Sequence, residues 1–106
     1  MLEVTKATYI GNYTLRLVFN NGMEGNASLH DFIFNDRRTA FAPLRNESAF
    51  KNFKVEHSTV VWSDELDLAP EYLFFFAFKD KPDLQEQFIS WGYITSPNYS
   101  TGGIIS

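Results

Sequence analysis

The chain has 106 residues, a formal net charge of −4 and no cysteine, which fits one domain with its own core and excludes disulfide staples and thiolate metal sites. Charge is unevenly spread: residues 1–60 carry seven Lys or Arg against six Asp or Glu, whereas residues 61–106 carry two against seven. An acidic second half has little with which to neutralise phosphates, so nucleic acid is not expected as a direct ligand, and the absence of cysteine fits a reducing cytoplasm.

Leu2 to Ile10 is rich in β-branched and aromatic residues and predicts a strand, with Gly11-Asn12 as the turn after it. Tyr13, Leu15, Leu17 and Phe19 then alternate with Thr14, Arg16 and Val18, the pattern of a sheet packed on one face. Asn20-Asn21-Gly22 supplies the positive φ of a tight turn. Met23 to Ser28 is the expected return, with Gly25 and Asn26 marking an edge or a bulge. Leu29, Phe32 and Ile33 have the spacing of a single helical turn, and a loop containing Arg37 and Arg38 follows. That pair is a candidate grip for an acidic partner or a phosphate, although a solvated loop is the favoured reading. Asn46 is placed to cap a short helix over Glu47 to Asn52 that buries Phe50. A second hairpin begins at Phe53, turns near Ser58 and returns through Val60 to Trp62.

That return strand runs into an acidic corner, Ser63-Asp64-Glu65-Leu66-Asp67-Leu68-Ala69-Pro70. Proline suits the first turn of a helix because its missing N–H has no partner to lose there. Asp67 is therefore expected as the N-cap, so that Trp62, Asp64, Asp67 and Pro70 form a structural corner. The helix from Leu68 to Phe78 leaves almost no polar face, with Tyr72, Leu73, Phe74, Phe75, Phe76 and Phe78 pointing all round its axis. Leu66 to Phe78 is nonetheless shorter than the ~20 residues of a membrane span and contains Asp67 and Glu71, and Met1 to Lys6 has no apolar secretion signal; no membrane association is expected. Beyond Asp80 to Pro82, Leu84, Phe88 and Trp91 recur at amphipathic spacing, and Gly92 is placed to end that helix with Tyr93 folding back on Phe88.

The expected fold is thus α+β: a small, mainly antiparallel sheet from two hairpins, with a short helix and two C-terminal helices packed on it. Residues 1–94 form the domain, and 95–106, rich in Ser, Gly and Asn, a flexible tail.

The Phe-Asn-Asn-Gly turn, the short helix holding Phe50 and above all Val61-Trp62-Ser63-Asp64 leading to Leu66-Asp67-Leu68-Ala69-Pro70-Glu71-Tyr72-Leu73 resemble the bacterial domain-of-unknown-function family 2442. The resemblance covers about residues 3–75, and Trp followed by Asp-x-x-Pro-Glu is its most specific part. It implies a small α+β domain without an established activity, acting as the partner of another small bacterial protein in the manner of an antitoxin. Some relatives carry an added helix-turn-helix; the C-terminal extension here is acidic and aromatic, and no such motif is visible.

Asp64, Glu65 and Asp67 could offer oxygens to Mg²⁺ or Ca²⁺, but turn and cap duty explains the same residues, and a hard cation needs more ligands. His30-Asp31 and His57 could supply a base and its orienting carboxylate. No glycine-rich phosphate loop, zinc spacing or nucleophile elbow is present, so no catalytic residue, metal or cofactor is assigned. A helix packed on one side needs an apolar stripe roughly 100° wide. The surplus points to a non-enzymatic module that binds another protein or a second copy of itself, with Phe74, Phe75, Phe78 and Trp91 as interface residues. The alternative is a metal-assisted hydrolase or nuclease built on Asp64, Glu65 and Asp67, with His57 as base.

Overall fold

A computed structural model describes residues 1–35 and 39–95; the Arg37-Arg38 pair and all of the tail beyond Thr95 lie outside the described residues. The fold is α+β, with two three-stranded antiparallel sheets. The first has the order β1 (Val4–Tyr9), β2 (Thr14–Phe19), β3 (Glu24–Ser28), and the second β4 (Lys54–Glu56), β5 (Thr59–Ser63), β6 (Leu66–Leu68).

In the first sheet the alternation of β2 sends Leu15, Leu17 and Phe19 into the core, each at most 2 % exposed. Of the two alternatives for Gly25 and Asn26 the edge holds: β3 is an outer strand of its sheet in regular register, and the bulge lies in β1. Val4 pairs with Phe19 while Lys6 pairs with Val18, so one extra residue, Thr5, stands in β1. Inserting one residue reverses which face the rest of a strand presents; that is how Val4, Ala7 and Tyr9 all stand opposite the inward residues of β2. Gly25 answers a different need. It pairs with Leu17 in regular register, and a Cβ there would lie 2.6 Å from Cε1 of Phe78, so the absent side chain lets the last helix turn of α3 lie directly on β3.

Between the sheets run α1 (His30–Asn35), a 3₁₀ segment (Thr39–Arg45) containing Pro43, and α2 (Glu47–Lys51). As expected, Asn46 caps α2: its Oδ1 accepts from Ala49 N at 3.0 Å, and Phe50 is fully buried. The β4–β5 connection is a two-residue turn at His57 and Ser58, both with positive φ (54° and 69°), the twist that matches flanking antiparallel strands. Ser58 O accepts from Val4 N at 2.9 Å, which ties the second sheet to the first.

α3 (Pro70–Phe78) follows β6 directly and packs on β3; a 3₁₀ turn (Pro82–Leu84) leads to α4 (Gln85–Ser90). The end of α4 is the expected Schellman motif. Gly92 has φ 87°, Gly92 N donates to Ile89 O at 3.0 Å and Tyr93 N to Phe88 O at 3.0 Å, which satisfies carbonyls that a helix end leaves unpaired. Both sheets and α1 to α4 contribute to one core cluster, whose largest fully buried members are Phe19, Phe50 and Phe88. Among the described residues no helix is long and apolar enough to cross a membrane.

Two expectations for the corner are corrected. Leu66, Asp67 and Leu68 form a third strand, β6, in which Asp67 pairs with Val61. The N-cap of α3 is Ala69, without a side-chain cap. Asp67 is two residues too early to cap, because Glu65-Leu66-Asp67-Leu68 alternates with period two and its leucines are drawn inward, Leu68 to 6 % exposure. Burial of alternate residues outweighs one capping hydrogen bond.

Candidate functional site

The corner residues are divided by the fold. Trp62 leans on α2: its Nε1 donates to Phe50 O at 2.8 Å and its ring centroid lies 5.6 Å from that of Phe50. Trp62 and Asp64 share a depression of about 250 Å³ with Lys54 and Glu56. Asp67 lines a different cleft, and Pro70 opens α3. Asp64 and Glu65 are exposed in the β5–β6 turn, where Glu65 N donates to Ser63 Oγ at 3.3 Å. Among the described residues no three His, Asp or Glu side chains gather as a metal site. His30 Nδ1 lies 3.1 Å from Asp31 Oδ1, but the ring is stacked on Phe34 at 4.5 Å, and among the described residues no nucleophilic side chain hydrogen-bonds to it. His57 is exposed in its turn on another hairpin.

The interface candidates divide as well. Phe74 and Phe78 are 4 % and 5 % exposed and belong to this chain's own core. Phe78 lies over Gly25, and Phe74 packs edge-on against Phe19 at 5.1 Å. Side chains so placed present no surface to a partner. Phe75 and Trp91 are half-buried; Phe75 bridges Phe88 (5.1 Å) and Tyr93 (5.3 Å), and Trp91 sits 6.0 Å from Phe74.

What remains at the surface is the other side of α3. Tyr72, Phe75 and Phe76 are half-buried there, and the patch continues without a break into Phe32 of α1, Phe41 of the 3₁₀ segment and Tyr93 beyond α4. Within the patch is a cleft of about 360 Å³ lined by Phe32, Phe41, Asp67, Leu68, Ala69, Tyr72 and Tyr93. The rings are inclined rather than stacked: Phe32 and Phe41 are 5.2 Å apart at 64°, Phe32 and Tyr72 5.6 Å at 82°, and Tyr72 and Tyr93 5.1 Å at 45°. Burial, then Glu71 and the neighbouring Tyr72, pushes the Tyr93 hydroxyl above the usual tyrosine range. Sequence periodicity could not have found this cleft, since its walls come from four separate segments. The one legible hint was the Schellman end at Gly92, which turns Tyr93 back toward α3.

The comparisons with known proteins agree on the fold. No curated protein matches the chain. A solved structure with this architecture is "Putative DNA Binding Protein NE0471" from Nitrosomonas europaea ATCC 19718, which aligns with a TM-score of 0.67 at 14% identity over 90% of this chain. The present chain spans 63% of that longer protein. At such low identity the likeness is one of fold. The family model for Protein of unknown function (DUF2442) matches residues 4–79, from β1 through the end of α3, and the chain belongs to that family.

Proposed function

We propose that this domain is a non-enzymatic protein-binding module whose contact surface is the half-buried aromatic patch on α3, with Phe75, Phe76, Tyr72 and Tyr93 at its centre. The observation that supports the reading is the division of α3 into two apolar faces. Leu73, Phe74 and Phe78 fill the core, yet the opposite face carries further aromatics instead of charge. A surface helix that only had to cover a sheet would be polar there. A contiguous apolar patch left partly open to solvent marks an association site, and large rigid rings are the residues that dominate the energetics of such sites.

The partner is a different protein rather than a second copy. A symmetric dimer would set the same patch against itself and bring Asp67 and Glu71 of each copy toward those of the other, in a half of the chain that carries seven acids and two bases. The same charge argues against direct nucleic-acid binding, and the lack of cysteines fits a cytoplasmic setting. Pairing with another small bacterial protein, as the family resemblance implies, is the biological form of this reading. A hydrolase on Asp64, Glu65 and Asp67 is disfavoured because those side chains are spread over a turn and a strand without converging.

The test is affinity capture from bacterial lysate with wild type beside Phe75→Ser and Phe76→Ser, together with sedimentation at micromolar concentration. A monomer that retains one protein species, lost in both variants while their circular dichroism is unchanged, is the expected outcome. A stable homodimer, or retention that survives both substitutions, would overturn the reading.

A further inference from the structure

Resting on that interaction reading, we infer that the open edge of β3 receives an extended segment of the partner protein, which adds a strand to the first sheet beside the aromatic patch. In an antiparallel pair, opposed residues exchange main-chain hydrogen bonds at every second position, and the residues between direct their N–H and C=O groups away from the paired strand. Phe19 N donates to Met23 O and Leu29 N to Tyr13 O, both at 2.9 Å. In the register of β2 with β3, the bonded positions of β3 are therefore Gly25 and Ala27, opposite Leu17 and Leu15. Glu24, Asn26 and Ser28, all exposed, turn their main chain to the open side, and among the described residues no strand lies beyond β3. Main-chain donors and acceptors left unpaired at every second residue of a strand are complementary to another extended backbone.

The two edges of this sheet differ. An edge that must remain single is blunted by proline, lysine or a bulge, or is covered. β1 has its bulge at Thr5, carries Lys6 and lies against β4 and β5, with Val4 N donating to Ser58 O at 2.9 Å. β3, Glu24-Gly25-Asn26-Ala27-Ser28, has no proline, lysine or bulge. Its one charge is engaged within the sheet, where Glu24 Oε1 accepts from Arg16 Nη2 at 3.3 Å. α3 packs on the inner face of β3, with Phe78 over Gly25. Phe75 turns to Phe88 of α4, whereas Phe76 turns to Phe32 of α1, the element that follows β3; Phe76 therefore stands on the flank of α3 nearest this edge. Alternate side chains of a strand laid along β3 would face that flank, where Phe76 and Ala77 are half-buried. The segment that fits is apolar at every second residue and polar between, where its side chains stand beside Glu24, Asn26 and Ser28.

The inference is tested on the full chain by titrating the peptide acetyl-Lys-Val-Thr-Val-Lys-Val-Thr-amide, and in parallel the same sequence N-methylated throughout, which keeps the side chains but has no main-chain donors. Amide hydrogen exchange, followed by NMR, is expected to slow several-fold at Glu24, Asn26 and Ser28 with the first peptide and not with the second. Asn26→Pro removes an N–H that β2 does not use, so its thermal transition should stay near that of Asn26→Ser. The proline variant should lose both the peptide effect and the partner captured from lysate, and the serine variant should keep both. If the proline variant does not fold, the pair of peptides still decides. Equal effects of the two peptides, protection that maps elsewhere, no protection at all, or partner retention by a folded Asn26→Pro would overturn strand addition. Slow exchange at the same three amides in the protein alone, with a dimer in sedimentation, would place a second copy on the edge and overturn it as well. If the peptide fails while Phe75→Ser still abolishes partner retention, the aromatic surface stands and only the added strand is wrong; if retention is also insensitive, both readings fall.

Discussion

The two sheets have the same number of strands and the same antiparallel pairing, but different forces hold them. The first buries a full stripe of its own, Leu15, Leu17 and Phe19 on β2 with Val4 and Ala27 on the flanking strands. The second buries only Thr59, Val60 and Leu68, and β4 is exposed along its whole length. What it lacks in apolar area it makes up with hydrogen bonds at fixed points: Thr59 Oγ1 donates to Leu68 O, Trp62 Nε1 donates to Phe50 O, and Ser58 O receives Val4 N. One sheet is stabilised in proportion to area removed from water. The other depends on individual polar contacts, each costly to leave unmade when buried. The acidic turn and the Asp67 wall of the cleft therefore stand on the part of the fold with the smaller apolar core.

The contrast can be broken most forcefully in the first sheet. Phe19→Ala removes a ring that is 2 % exposed and touches both Phe74 and Phe78, and should lower the unfolding free energy by about 3–5 kcal/mol in urea melts. A loss of under 1 kcal/mol would show that α3 can settle onto β2 without it.

The second sheet should respond to a single atom. Thr59→Val keeps the shape but leaves Leu68 O, in a residue only 6 % exposed, without its hydroxyl donor, at a cost of about 1–3 kcal/mol. An unchanged melt would mean that the polar contact contributes nothing and that the two sheets are held alike.

The smallest effect belongs to the corner. Because Ala69 and not Asp67 is the N-cap of α3, Asp67→Ala should shift stability by no more than about 0.5 kcal/mol, the usual range for an exposed site. A loss near 1 kcal/mol, the value of a lost cap, would restore the capping role.

Most of the framework was legible because local chemistry and tertiary structure agree there. The β1–β2–β3 meander follows from the alternation of Leu15, Leu17 and Phe19 and from Gly22, α2 from Asn46, the second hairpin from its β-branched return strand, and the end of α4 from Gly92. The extra residue at Thr5 had no signal of its own. β6 was missed because three residues before a proline read as a helix start, although the alternation of Leu66 and Leu68 with Glu65 and Asp67 carried the strand. The excess of aromatics on α3 was visible as a count. Their division was not, since which rings go inward depends on where β3 and its Gly25 gap lie. The cleft is lined by residues as far apart as Phe32 and Tyr93, each packed on Tyr72, and no window along the chain contains them together.

Gly92 ends α4 in a left-handed conformation and by doing so holds Tyr93 against Tyr72, at 5.1 Å between ring centres. That one wall of the cleft hangs on the last turn of a six-residue helix, and short helices fray. This arrangement is then one member of an equilibrium, and under the proposed protein-binding role the apparent affinity for a partner on that patch is reduced by the fraction of molecules in which that turn has come undone. Whatever firms the end of α4 would, in that role, strengthen the association without touching the partner, and a glycine outside the contact surface would help to set its strength.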